Sequence, residues 1–271
     1  MQINITNDEI VEKYKYHSAK FESIAKDRND NVLSLFEEAD KKVVREEMCS
    51  GSDMFLGFYN PSPVYDLIVG NVHRGRLLKR ITKSSKPSHK YGFDQNGRLC
   101  TVVTLPVDPD TYVDKRAFFE YSGDTATVIS FEYVYGETEI TEIAECSCCK
   151  DEKLTEYMIG LLNNNKCSLI EGEIYSYGNS GMEGVVLWDC QNVQTIMSGE
   201  FAVKYDNFLN SFGEKGQKLR DEIAQTSCMT RIYTYKLYHD SNGYITSYEA
   251  VGDDRRDGQL FEISEHKRRI L

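Results

Sequence analysis

Three closely spaced cysteines are the side chains of this sequence with the most obvious potential for chemistry. Cys146, Cys148 and Cys149 lie in the stretch ECSCCKDE, and Cys146 and Cys149 have the two-residue separation of a zinc knuckle. A structural zinc site normally needs a second such pair, and only Cys167 with a distant histidine could complete it. We therefore expect no metal and no other cofactor, and we interpret the cluster as the end of a strand.

The common catalytic motifs are absent from the sequence. It contains no Gly-rich phosphate loop, no Gly-x-Ser-x-Gly elbow and no pair of histidines at helical spacing. Eight cysteines and five histidines are present, but nothing marks one Cys–His pair for nucleophilic catalysis. We expect a protein without enzymatic activity. A metal- or cysteine-dependent enzyme of unknown substrate is the alternative.

The charge balance favours a basic partner. The net charge is −11 with an isoelectric point near 5.1, so the average field repels nucleic acid and anionic lipid. Glu137 and Glu139 share one face of a predicted strand, and Asp253 and Asp254 lie in a charged loop. Like charges on one face are unfavourable unless they are solvated or matched by a partner. We predict that these four residues bind a partner; a solvated sheet face is the alternative.

The expected location is the cytoplasm. The first twenty residues lack the basic and apolar regions of a signal peptide, and no run of eighteen apolar residues could span a membrane. Without an export signal, we expect all eight cysteines to be reduced thiols.

A helical hairpin is predicted at the N-terminus, within residues 1–49. Thr6 and Glu9 form a capping box, and an apolar stripe runs from Ile10 to Ile24. A second stripe from Val32 to Val43 predicts a helix that ends near Cys49. Because the link is only a few residues long, we expect the two helices to pack antiparallel.

The remainder, residues 50–271, predicts a sheet-rich body with further helices packed on it. Alternating apolar residues and tight turns recur, and an Asn-Gly pair at Asn96-Gly97 predicts a type I′ hairpin turn. Apolar spacing predicts a helix over 154–162 and another from Phe201 to Gly213, with a continuation through Leu219 and Ile223. Neighbouring strands joined by tight turns favour antiparallel pairing. The predicted fold is therefore a single α+β domain spanning residues 1–271.

The stretch YGFDQNGRL at residues 91–99 has the pattern aromatic-x-aromatic-Asp-x-x-Gly-Arg-Leu. In this pattern it resembles the YD-repeat unit of bacterial Rhs-type proteins. A looser copy follows near Tyr238 and Asn242-Gly243. A repeat shell would need many such units, and only two are found, so an ordinary hairpin is the alternative. The matching residues are Tyr91, Phe93, Asp94, Gly97, Arg98 and Leu99.

The overall profile resembles the immunity proteins of bacterial polymorphic and contact-dependent toxin systems. These proteins are acidic and lack catalytic motifs, but they share no residue signature, so the resemblance is one of class. It implies a stoichiometric inhibitor that neutralises a cognate basic toxin protein and binds neither nucleic acid nor membrane. A stand-alone structural or interaction protein is a further alternative.

Overall fold

The fold is dominated by one antiparallel β-sheet with an N-terminal helical segment packed against it, as seen in a computed structural model. Within the described chain, no helix is long and apolar enough to cross a membrane. The structure describes residues 4–52, 56–62, 74–82, 84–105, 114–134, 137–148, 153–178, 181–192, 210–218, 228–241, 245–252, 258 and 260–262.

The first helix, α1 (Asn7–Arg28), confirms the predicted start. The Thr6 hydroxyl accepts a hydrogen bond from the Glu9 backbone N–H at 3.3 Å, and the Thr6 N–H donates to Glu9 Oε2 at 2.7 Å. This capping box satisfies two of the amide groups that a helix leaves unpaired at its N-terminus. The predicted stripe is buried, with Ala25 rather than Ile24 completing it; its members are Ile10, Tyr14, His17, Phe21 and Ala25.

The second helix, α2 (Val32–Asp40), ends earlier than predicted and is followed by a strand over Arg45–Ser50. A single 3-10 turn, Asn29–Asn31, joins the two helices. The predicted antiparallel hairpin is wrong, because the two helices pack on different strands instead of on each other. The stretch REEMCS does not alternate polar and apolar residues, so the sequence gives no period that indicates a strand there.

Thirteen strands form one sheet in which nearly every strand pairs with its neighbours in sequence. The order is β13-β12-β11-β10-β9-β8-β7-β6-β5-β4-β3-β1-β2, and every pair is antiparallel. The bounds are β1 Arg45–Ser50, β2 Arg76–Leu77, β3 His89–Phe93, β4 Leu99–Thr104, β5 Asp114–Ser122, β6 Thr125–Val134, β7 Glu137–Cys148, β8 Leu154–Asn163, β9 Lys166–Gly178, β10 Gly181–Asn192, β11 Cys228–His239, β12 Ile245–Val251 and β13 Leu260–Glu262.

The helix predicted over 154–162 is instead strand β8. Tyr157 and Met158 are both buried, on opposite faces of the sheet. A strand that is apolar on both faces imitates helical spacing over so short a stretch. Asn164 and Asn165, both at positive φ (49° and 59°), close a two-residue turn to β9 rather than ending a helix.

Helices beyond α1 and α2 receive little support from the described residues. Residues 214–218 are helical, in agreement with the predicted continuation, whereas residues 201–209 and 219–223 of the same prediction lie outside the described residues. The expectation of further helices packed on the sheet is therefore not supported within the described chain. The antiparallel sheet itself is confirmed, and strands β11 and β12 pair on either side of the looser hairpin copy near Tyr238.

The hairpin between β3 and β4 differs in its turn from the prediction. Gly97 has a φ of 77°, as expected, whereas Asn96 is not among the described non-glycine residues at positive φ. The Gly97 N–H donates to the Asp94 carbonyl at 3.0 Å, and Asp94 Oδ1 accepts from the Asn96 and Arg98 N–H groups. A four-residue turn followed by a left-handed glycine therefore replaces the type I′ turn.

Helices α1 and α2 cover one face of the sheet. Trp188, Ile143 and Phe131 of that face are buried under them, with Phe36 of α2 packed edge-on against Phe131. Glu145 of β7 lies under α1 beside His17 and Lys20. Although burial alone would raise the pKa of Glu145, hydrogen bonds from His17 and Lys20 lower it. The charge of Glu145 is therefore matched by Lys20 and His17 within the chain.

The opposite face of the sheet is concave. The segment 56–62 lies on it, with Tyr59 against Tyr91 of β3 and Ser62 hydrogen-bonded to Glu173 of β9. The six strand spacings from β3 to β9 would span about 29 Å in a flat sheet. Three residues reach only about 10 Å when extended, and the Tyr59 and Ser62 side chains with their contact distances add roughly 15 Å. Because the side chains of a strand stand upright on the sheet and add little lateral reach, we infer that the sheet curves toward this segment. We call this surface the concave face.

Candidate partner-binding face

Cross-strand register aligns polar side chains on the part of the concave face that segment 56–62 does not cover. Directly opposed residues of antiparallel strands point to the same side of the sheet. Glu142 of β7 therefore shares this side with Leu161 of β8, and Glu171 of β9 shares it with Ile159 of β8 and Asp189 of β10. We define the acidic patch as Glu132, Glu137, Glu139, Glu142, Glu171 and Asp189.

One half of the acidic patch lies where β6 and β7 meet. Glu132 and Glu139 are direct cross-strand partners, an arrangement that is destabilising by itself. Glu142 is ion-paired with Lys115 of β5, with Nζ and Oε1 2.5 Å apart. Burial nevertheless raises the pKa of Glu142, with Lys115 opposing the shift and Glu132 adding to it. This half of the patch thus concentrates negative charge that one lysine only partly offsets.

The other half of the patch is a second pair of opposed carboxylates. Glu171 and Asp189 face each other across β9 and β10. Arg231 of β11 lies next to Asp189, with Nε 2.8 Å from Oδ2 and 3.0 Å from Oδ1. Burial raises the pKa of Glu171, and the charge of Asp189 raises it further while Arg231 opposes the shift. The single positive charge of Arg231 therefore lies beside the two negative charges of Glu171 and Asp189.

Half-exposed apolar side chains separate and border the two halves. Leu161 is 36% exposed between Glu142 and Leu169, and on β11 Met229 and Tyr233 are 38% and 37% exposed. With the exposed carboxylates of Glu137 and Glu139, they give the mixture of aromatic, aliphatic and charged groups that is typical of surfaces that bind proteins. By contrast, Tyr157 and Tyr175 on the covered part of the same face are buried.

Glu173 helps to hold segment 56–62 on the concave face. Its carboxylate is 4% exposed and accepts hydrogen bonds from Ser62 and from Tyr175, the latter at 2.6 Å. Burial raises the pKa of Glu173 to about 7, although these hydrogen bonds and the charge of Arg74 act against the shift. Arg74 donates to the carbonyls of Phe58 and Asn60, which holds segment 56–62 in place.

Two of the four predicted site residues lie on the acidic patch. Glu137 and Glu139 are exposed at the start of β7, and Glu139 also accepts a hydrogen bond from the Asn164 N–H at 2.7 Å. Asp253 and Asp254 lie outside the described residues, so their prediction stays a prediction. Register brings Glu132, Glu142, Glu171 and Asp189 to the same surface, and sequence reasoning missed all four.

A signal for the missed residues existed in the sequence. Glu171 and Glu173 alternate with apolar residues in SLIEGEIYSYG, which is the pattern of a strand with one polar face. That pattern does not show which strands are neighbours or which face lies open. The opposed pair of Glu171 and Asp189 depends on the β9–β10 register, and that register was not predicted.

The cysteine cluster does not form a metal site in the part of the chain that the structure describes. Cys146 is buried on the concave face, Cys148 is half-buried, and Cys149 lies outside the described residues. Burial raises the pKa of Cys146 and of Cys167 to about 12, so neither thiol is activated. Among the described residues, no group of three His, Cys, Asp or Glu side chains could hold a metal ion.

Comparison with protein-family models, with curated proteins and with solved structures finds no match to this chain.

Proposed function

We propose that the protein is a non-catalytic binding protein that neutralises a cognate basic toxin domain, acting as an immunity protein in a bacterial cytoplasm. The observation that supports this proposal best is the pairing of Glu132 with Glu139 and of Glu171 with Asp189 on the face of the sheet that helices α1 and α2 do not cover. Glu139 is exposed, Glu132 and Glu171 are partly exposed, and Asp189 is buried. Two like-charge cross-strand pairs reduce the stability of a sheet. A cationic partner bound over these pairs would relieve the repulsion between their carboxylates, and this relief would contribute to the free energy of binding.

The acidic patch and its apolar border would act at different steps of binding, the patch in association and the border in dissociation. The patch would accelerate encounter with a basic surface through long-range attraction, which salt screens. Tyr233, Leu161 and Met229 would be buried at the centre of the complex and would slow dissociation. Neither step requires a covalent bond to be made or broken.

The proposal is tested by affinity capture from the native cell with three forms of the protein. These are the parent, a patch variant (Glu132→Lys with Glu137→Lys) and a control variant (Glu37→Lys with Glu38→Lys). Glu37 and Glu38 are exposed on α2, on the other side of the sheet, so the control makes the same change in net charge. We expect the parent and the control to retain one basic protein and the patch variant to lose it.

The captured protein must also behave as a toxin. Expressed alone it should arrest growth, and co-expression with the parent or the control, but not with the patch variant, should restore growth. An acidic captured protein, equal capture by all three forms, or a captured protein that does not affect growth would contradict the proposal. Turnover of a small substrate without any captured protein would favour the enzyme alternative.

A further inference from the structure

The sequence concentrates positive charge in one segment of an otherwise acidic chain. Residues 67–93 contain no aspartate or glutamate, whereas the whole chain has 43 of them against 32 lysines and arginines. The proposed neutralisation of a basic toxin does not use this segment. Its seven cationic residues are Arg74, Arg76, Lys79, Arg80, Lys83, Lys86 and Lys90.

The structure places part of this segment at an edge of the sheet, where it borders a groove. Strand β2 is the outermost strand, and the groove of about 620 Å³ lies between β1 and residues 77–81. Met48, Leu77 and Ile81 contribute apolar surface to it, and Ile81 is 56% exposed. This volume lies in the range of binding sites for small ligands and short peptides.

The outer edge of β1 is only partly paired. On its inner side, Arg45 to Cys49 pair with β3, whereas on its outer side β2 pairs only with Cys49 and Ser50. The Leu78 N–H still donates to the Met48 carbonyl at 2.8 Å, and the chain then diverges from β1. No described strand pairs with Arg45, Glu46 or Glu47 on that side. The groove therefore opens along a sheet edge that can accept another strand.

The charges around the groove favour an anion. Glu46 is ion-paired with Lys90, with the two charged atoms 3.0 Å apart, and Glu47 is ion-paired with Arg45 and accepts a hydrogen bond from the Tyr59 hydroxyl. In the described chain, by contrast, no carboxylate lies within ion-pair distance of Lys79 or Arg80. Both cations are exposed at the rim of the groove. The groove thus has cations available for a ligand, whereas its acids are already matched.

We propose that this groove binds an extended acidic peptide segment, which adds to the outer edge of β1 as a further strand. Backbone hydrogen bonds to β1 would provide affinity, Lys79 and Arg80 would contact acidic side chains, and alternate apolar side chains would pack near Ile81 and Leu77. The bound segment would pair with Arg45, Glu46 and Glu47, the residues of the outer edge of β1 that β2 does not pair. The groove shares no residue with the acidic patch. Peptide binding at the groove can therefore be tested independently of the proposed neutralisation of a toxin.

The test uses a fluorescent peptide of alternating Glu and Val, six residues long, blocked at both ends. We expect saturable binding to the parent protein that weakens as salt is raised. Lys79→Glu with Arg80→Glu should weaken this binding at least about tenfold. A control with the same charge change, Lys26→Glu with Lys41→Glu on the helices, should bind like the parent. Thermal melting of all variants verifies that they are folded.

Two further probes separate strand addition from simple charge attraction. The same peptide N-methylated at alternate residues keeps its charges but loses backbone donors, so it should bind at least about tenfold more weakly. A Lys-Val peptide of equal length should not bind. Absence of binding by the acidic peptide, or equal binding of its N-methylated form, would overturn the proposal. Tighter binding of an oligothymidylate that is lost with Lys79→Glu and Arg80→Glu would likewise overturn it in favour of nucleic acid.

Discussion

The attachment of α1 to the sheet can be measured at one side chain, Phe21. The ring is fully buried, and a Cβ added to Gly160 of β8 would lie 2.5 Å from Phe21 Cδ2 and 3.2 Å from Cys167 Sγ. Gly160 has no side chain that could move into the space left by the ring. Phe21→Ala should therefore lower the free energy of unfolding by about 3–5 kcal/mol, the usual cost of an unfilled cavity of that size.

The matched control is Tyr16→Ala, on the same helix. Tyr16 is 64% exposed, so its loss should change the free energy of unfolding by no more than about 0.5 kcal/mol. The assay is reversible unfolding in urea followed by the fluorescence of Trp188, the only tryptophan, which is buried on the helix-covered face. Equal urea midpoints for the two variants would refute the packing of α1 described above.

Two further predictions concern the hairpin turn and a buried acid. Gly97→Val should lower the free energy of unfolding by about 1–2 kcal/mol. The loss comes from backbone strain alone, because φ is +77° and an added Cβ meets nothing within 4 Å. Gly97→Asn should lower it less, and melting temperatures of both variants equal to that of the parent would contradict the left-handed conformation of Gly97. The same loss is predicted for Gly243→Val, which lies outside the described residues. Glu173 has a pKa raised from 4.5 to about 7, so the folded protein binds more protons than the unfolded chain between these values and stability falls as pH rises through this window. Glu173→Gln has no titrating carboxyl group and should not lose stability in this way. The free energy of unfolding of the variant minus that of the parent should therefore rise by on the order of 3 kcal/mol from pH 5 to pH 8, as measured by urea unfolding at each pH. If this difference does not change with pH, the burial of Glu173 is contradicted.

Much of the fold could be predicted because local rules govern it. The capping box at Thr6 and the stripe from Ile10 to Phe21 are local signals, and the structure confirms both. β8 was predicted as a helix because both of its faces are buried, and no period in the sequence distinguishes such a strand from a helix. The pair Asn164-Asn165, which suits a two-residue hairpin turn, was the local evidence that could have corrected that prediction.

The candidate site was predicted less well, for a physical reason. Glu137 and Glu139 were identifiable because both lie on one strand, where spacing alone assigns a face. Glu171 and Asp189 are 18 positions apart and meet only through the β9–β10 register. Which face lies open also depends on segment 56–62, whose contacts with β3 and β9 span long sequence distances. Neither fact follows from local patterns.

The most direct test of the central claim is the rate at which the captured basic partner associates with the protein at low and at high salt. For the parent, and for the Glu37→Lys with Glu38→Lys control, we predict fast association that slows as salt is raised. Glu132→Lys with Glu137→Lys should lower the association rate at low salt and weaken its salt dependence, whereas Tyr233→Ala should mainly speed dissociation. An association rate that does not depend on salt, or that is unchanged by the patch variant, would contradict the claim that the acidic patch binds a basic partner.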